Sequence, residues 1–150
     1  PRREAGVAGL VPVLKPEHLE RLGAVAPDVA RAAAYRLVVL FGSAARGAPH
    51  PEDLDLGIVA DGELDTVAAA NRFIEALGTQ HVDIVDLRRA TPLVAMVAAR
   101  EGRVLYEARR GEFARFASLA ARRYADTGKF RRLEHEDLLR RLARLKAEVR

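Results

Sequence analysis

The amino-acid sequence predicts a mixed α/β (α+β) fold, a small mixed sheet packed by helices, with a helical appendage at its C-terminal end. Three observations carry this. Apolar runs of strand length recur at 37–41, 53–59 and 82–87, each bounded by Gly, Pro or polar residues. Helical apolar spacing fills the stretches around them, and beyond residue 108 two more helical patterns follow without a strand signal. A chain of 150 residues, 49% hydrophobic and 31% charged, suits one soluble domain with a real core and not a disordered segment.

The elements follow in order. Pro16–Gly23 reads as a short helix with Leu19 and Leu22 on one face, and Pro27 opens a second helical stretch through Ala34. Leu37–Phe41 is a continuous apolar run, suited to a strand covered on both faces and stopped by Gly42-Ser43. Ala44–Glu52, with Gly47, Pro49 and Pro51, reads as a helical turn and then a loop. Asp53–Val59 is a second strand, with Leu54, Leu56 and Ile58 on its core face. Leu64–Leu77 is a helix whose stripe is Leu64, Val67, Ala70, Ile74 and Leu77, with Gly78 as C-cap.

Val82–Leu87 forms a third strand. Thr91 caps a helix that starts at Pro92, reaches Arg100 and ends at Gly102; Arg103–Glu107 is a short fourth strand. Two helices close the chain, one lined by Phe113, Phe116, Ala117, Ala120 and Tyr124, the other by Leu138, Leu142, Leu145 and Val149. Met96 and the tyrosines Tyr35, Tyr106 and Tyr124 are read as packing residues. The division is thus residues 1–108 as the main domain and residues 109–150 as a helical extension packed on it.

Cysteine is absent, which removes disulfides, thiolate catalysis and Cys-based zinc sites together. No apolar run approaches the roughly 18 residues of a membrane span, and Pro1–Lys15 lacks the pattern of a signal peptide. A cytoplasmic setting without membrane contact is the expectation. The net charge of +4 is unevenly spread. Residues 109–150 hold thirteen Lys or Arg against six Asp or Glu, a net of +7, which leaves −3 on residues 1–108. Such a tail can be a solvated helical face, or can meet RNA or an acidic protein surface.

Asp53 and Asp55 sit at i and i+2 of a strand and so share one face, about 6.6 Å apart. Like charges so placed repel and resist desolvation, which divalent cations such as Mg²⁺ relieve. An Asp-x-Asp alone is better read as a solvated strand edge. Asp83, an acid between Val82 and Ile84, adds a third carboxylate on a neighbouring strand; the three make the ligand set of a two-metal site. Asp86, on the other face near the strand end, is read as a cap or surface residue. Gly42 lets a phosphate approach the backbone, Ser43 adds a hydroxyl, and Arg46 one turn later can pair with phosphate oxygens. No P-loop pattern is present. His50 and His81 are read as incidental.

Strand, Gly42-Ser43, helical turn, Asp53-x-Asp55, helix and Asp83 together resemble the polymerase-beta nucleotidyltransferase superfamily. The segments are FGSAARG at 41–47, DLDLGIV at 53–59 and HVDIVDL at 81–87. The resemblance implies the nucleotidyltransferase fold, Asp53, Asp55 and Asp83 as catalytic and metal-binding acids, Gly42, Ser43 and Arg46 on the nucleotide phosphates, two Mg²⁺ ions and ATP as substrate. The RVLYE strand at 103–107 and the Arg-rich helices beyond it look like the small MNT proteins, specifically the MntA-type antitoxins. That likeness implies AMP transfer to a tyrosine of a partner HEPN-type ribonuclease toxin. The rival readings are transfer to a small-molecule hydroxyl, as in aminoglycoside nucleotidyltransferases, and an antitoxin that binds without catalysis. Few aromatic residues in the tail are free for base stacking, so a protein partner is favoured over RNA.

Overall fold

The computed structural model describes residues 14–148. Pro1–Val13, most of the segment read above for a signal peptide, and Val149, assigned to the last helical stripe, lie outside those residues. The order is α1 (Pro16–Ala32), β1 (Tyr35–Phe41), α2 (Gly42–Ala45), β2 (Leu54–Ala60), α3 (Thr66–Leu77), β3 (Val82–Asp86), α4 (Pro92–Glu101), β4 (Arg103–Glu107), α5 (Glu112–Asp126) and α6 (Gly128–Glu148). The four strands form one sheet in the order β3-β2-β1-β4. β1 runs antiparallel to β2 and β4, while β3 is parallel to β2, so the sheet is mixed. No helix among the described residues is long and apolar enough to cross a membrane.

Helices cover the sheet on both faces. On one, α1 and α3 pack Leu22, Ala26, Phe73 and Leu77 against Val38, Leu40, Leu56 and Ile58. On the other, Leu37, Val39, Phe41 and Leu87 meet Ala98 of α4, with Phe113 and Phe116 of α5 closing over them. The continuous apolar run of β1 therefore has the two-sided burial that it predicts. Gly57 of β2 makes room on this second face: a Cβ there would stand 2.7 Å from Leu87. Capping chemistry sets several ends. Asp65 accepts the Ala68 N–H (3.0 Å), Gly78 takes the left-handed φ of 73°, and the Thr91 hydroxyl accepts the Val94 N–H (3.3 Å).

Three expectations are corrected. The two short helices read around Pro27 are one 17-residue helix with Pro27 inside it. Proline removes one N–H from the ladder, but Leu22, Ala26 and Ala30 lie four apart on both sides of it. Burying that stripe outweighs one lost hydrogen bond. The stripe of α3 is Ala69, Phe73 and Leu77, leaving Val67 70% exposed, because the Phe73 ring decides which face turns inward. The last helix does not pack on the domain. α6 buries no residue, its main contact is α5, and Leu138, Leu142 and Leu145 are 53%, 45% and 56% exposed. α4 and α5 already occupy the sheet face that α6 would need.

Candidate active site

The sheet register brings the acids and the Gly42 turn to one end of the domain. Phe41, the last residue of β1, pairs with Asp55 across the antiparallel ladder, and Asp55 pairs with Asp83 across the parallel one. Their side chains share the sheet face carrying α4 and α5, since Leu54, Leu56 and Ile58 belong to the opposite core. β2 begins where the Leu54 N–H donates to the His81 carbonyl at 2.8 Å, so Asp53 stands one residue before the strand. Asp53 and Asp55 are half-buried and Asp83 is exposed.

Gly42 opens α2 with φ +75°, a left-handed conformation that favours glycine. Its Cα lies against the Asp55 carboxylate, and a Cβ there would overlap Asp55 Oδ2. Backbone and acid are thus in direct contact, which no spacing in the sequence reveals. Burial first, then the charges of Asp83 and Asp53, push the Asp55 carboxyl above its usual range, and Arg46 pulls partly against them. Arg46 also pairs with Glu101 of α4 at 2.9 Å.

Asp55, Asp83 and Gly42 are therefore adjoining, and Arg46 and Asp53 lie within electrostatic reach of Asp55. His81, set aside as incidental, is the residue that sequence reasoning missed. Its Nδ1 is 3.2 Å from Asp53 Oδ1, and its buried Nε2 has no hydrogen-bond partner. The available signal was spacing: His81 stands two residues before Asp83, on the same side of an extended chain. Asp86 accepts the Arg88 N–H at 3.0 Å in the following turn and caps no helix, the next one being capped by Thr91; His50 is exposed.

Among the described residues, no three His, Asp or Glu side chains gather tightly enough to hold a metal ion as they stand. Asp53 is engaged by His81. The donor set nevertheless suits a hard cation. All three groups are carboxylates, they repel one another through Asp55, and the nearby Arg46 is itself shared with Glu101.

Solved structures with similar folds include chains from toxin–antitoxin complexes. A chain of a toxin–antitoxin crystal structure with AMP-PNP superposes with a TM-score of 0.68 at 24% identity, covering 79% of this chain and 98% of that one. A chain from the tri-AMPylated Shewanella oneidensis HEPN toxin in complex with MNT antitoxin gives 0.66 at 23%, covering 81% and 98%. A chain of a mutant toxin–antitoxin MntA-HpeT gives 0.65 at 26%, covering 75% and 93%. No curated protein matches this chain. The family model for polymerase beta nucleotidyltransferases matches residues 29–111, the span that holds the whole sheet, the Gly42 turn and all three acids; the chain belongs to that family.

Proposed function

We propose that this chain moves AMP from ATP onto a hydroxyl of a protein partner, a tyrosine of a HEPN-type ribonuclease toxin, and so acts as an MntA-type antitoxin. The observation that carries the reading is the register pairing Asp55 with Asp83 while the Gly42 backbone lies against the Asp55 carboxylate. Acid and glycine backbone then lie side by side at one end of the sheet. The likeness to structures with AMP-PNP and with a tri-AMPylated toxin supports the donor and the acceptor. ATP as donor goes with a cytoplasmic setting.

Gly42 and Ser43 bind phosphate oxygens through backbone N–H groups and the Ser43 hydroxyl. Arg46 exchanges Glu101 for the leaving pyrophosphate. Asp53, Asp55 and Asp83 would hold Mg²⁺, which neutralises phosphate charge and lowers the pKa of an attacking hydroxyl. Asp83, the most exposed of the three, accepts the proton that the tyrosine hydroxyl loses as its oxygen attacks the α-phosphorus and pyrophosphate departs. His81 holds Asp53 in place. Rate enhancement rests on positioning and charge compensation, with no covalent enzyme intermediate.

The test is intact-mass spectrometry of the partner toxin after incubation with this chain, ATP and Mg²⁺. The expected result is a gain of whole AMP units on tyrosine, abolished by EDTA and by Asp53→Asn with Asp55→Asn. An unmodified toxin that is nonetheless inhibited would overturn catalysis in favour of inhibition by contact.

A further inference from the structure

The same sheet face carries a cavity at the end remote from the acids. The C-terminal ends of β2 and β3, the start of β1 and the helix α5 surround a volume of about 360 Å³. That is within the size range of small-molecule sites, roughly 300–1,000 Å³. Four arginines border it: Arg36 and Arg88 from the sheet side, Arg115 and Arg123 from α5.

The sheet-side pair is held in place. Arg36 donates to the buried Glu112 carboxylate at 2.9 Å and lies 3.5 Å from Asp61. Arg88 donates to the backbone carbonyls of Ala60 and Asp61 at 3.2 and 3.0 Å. On the facing wall, Arg115 and Arg123 stand two turns apart, and among the described residues neither has an acidic partner within 4.0 Å. Glu112 and Asp61 thus offset two of four guanidinium charges. Between the walls lie Val59, Leu87 and Phe116, with Leu119 at the rim. Like charges crowd this space without a full complement of acids, which favours an anion carrying several oxygens reachable from both sides.

We propose that this cavity binds a phosphate-bearing small molecule, separate from the nucleotide used at the acids. The phosphate lies between the two arginine walls. Phe116 and Leu119 offer a surface for a planar or apolar remainder such as a nucleoside. The site shares no residue with the proposed catalytic machinery, so its fate and that of the transfer reaction are read independently.

Calorimetry with AMP and with pyrophosphate, in EDTA, tests the proposal. Arg115→Glu with Arg123→Glu should weaken binding at least tenfold, while Asp53→Asn with Asp55→Asn should leave it unchanged. Both arginines are exposed, so the charge-reversed protein should keep its melting temperature. Tighter binding of AMP than of pyrophosphate supports a nucleotide ligand; equal binding of both, still lost in the arginine variant, supports free phosphate groups. Binding that survives the arginine reversals, or neither probe binding at millimolar concentration, overturns the assignment.

Discussion

Burial and like charge meet at Asp55. Burial and the neighbouring Asp83 and Asp53 raise its pKa in the folded state. A carboxyl with a raised folded pKa binds its proton more tightly folded than unfolded. Stability therefore falls as pH climbs from the unfolded pKa through the folded one. Asp55→Asn removes that loss, so its melting temperature should exceed the native one at neutral pH and match it below the carboxylate range. Added Mg²⁺ should raise the native melting temperature and leave the variant nearly unmoved. A variant that melts lower at neutral pH would contradict this account. Gly42 makes the matching case for backbone. Gly42→Val places a branched side chain at φ +75° and into the Asp55 carboxylate, so it should weaken ATP binding roughly tenfold, about 1.4 kcal/mol. Unchanged affinity by calorimetry in a folded variant would refute the phosphate assignment.

At the scale of elements, α5 and α6 separate in role although both are basic amphipathic helices. α5 closes the second core with Phe113 and Phe116 and anchors Glu112 against Arg36. α6 adds no buried side chain, and its junction with α5 holds the Arg131 guanidinium 3.5 Å from the Tyr124 ring centroid. Deleting residues 128–150 should therefore change stability by less than about 1 kcal/mol, because burial supplies most helix stability and no residue of α6 is fully buried. Thermal melts of the truncated and full chains check this. A large drop would mean that α6 supports the domain in a way its exposure conceals.

For the whole molecule, the charge division matters more than the net value. Residues 109–150 carry +7 and the remainder −3, so the excess of positive charge lies in the C-terminal segment, beyond the strands that carry the three acids. Such a distribution steers an acidic partner toward the helices. Association with the proposed protein partner should slow steeply as ionic strength rises, with dissociation little altered. Charge reversal at Arg122, Arg123, Arg131 and Arg132 should reproduce that slowing at low salt by stopped-flow measurement. Association indifferent to both would assign the positive charge to solubility or to RNA.

What the sequence determined by itself was local. Strand runs and the caps at Thr91 and Gly78 follow from side-chain alternation, capping chemistry and glycine freedom, all decided within a few residues. That Gly42, Asp53, Asp55 and Asp83 converge was an expectation from family resemblance; the sheet register joins Gly42, Asp55 and Asp83, while Asp53 is engaged by His81. Tertiary structure decided the rest, because those outcomes depend on what the far side of a segment meets. Continuity of α1 through Pro27 follows from a stripe finding the sheet, and the inward face of α3 follows from Phe73. α6 stays exposed because the face it would need is taken. His81 became part of the site only when the start of β2 was laid against the residue before β3, bringing its ring to Asp53. The contact between Gly42 and Asp55 is of the same kind: two residues thirteen positions apart, joined by the antiparallel turn-back of the chain at one end of the sheet.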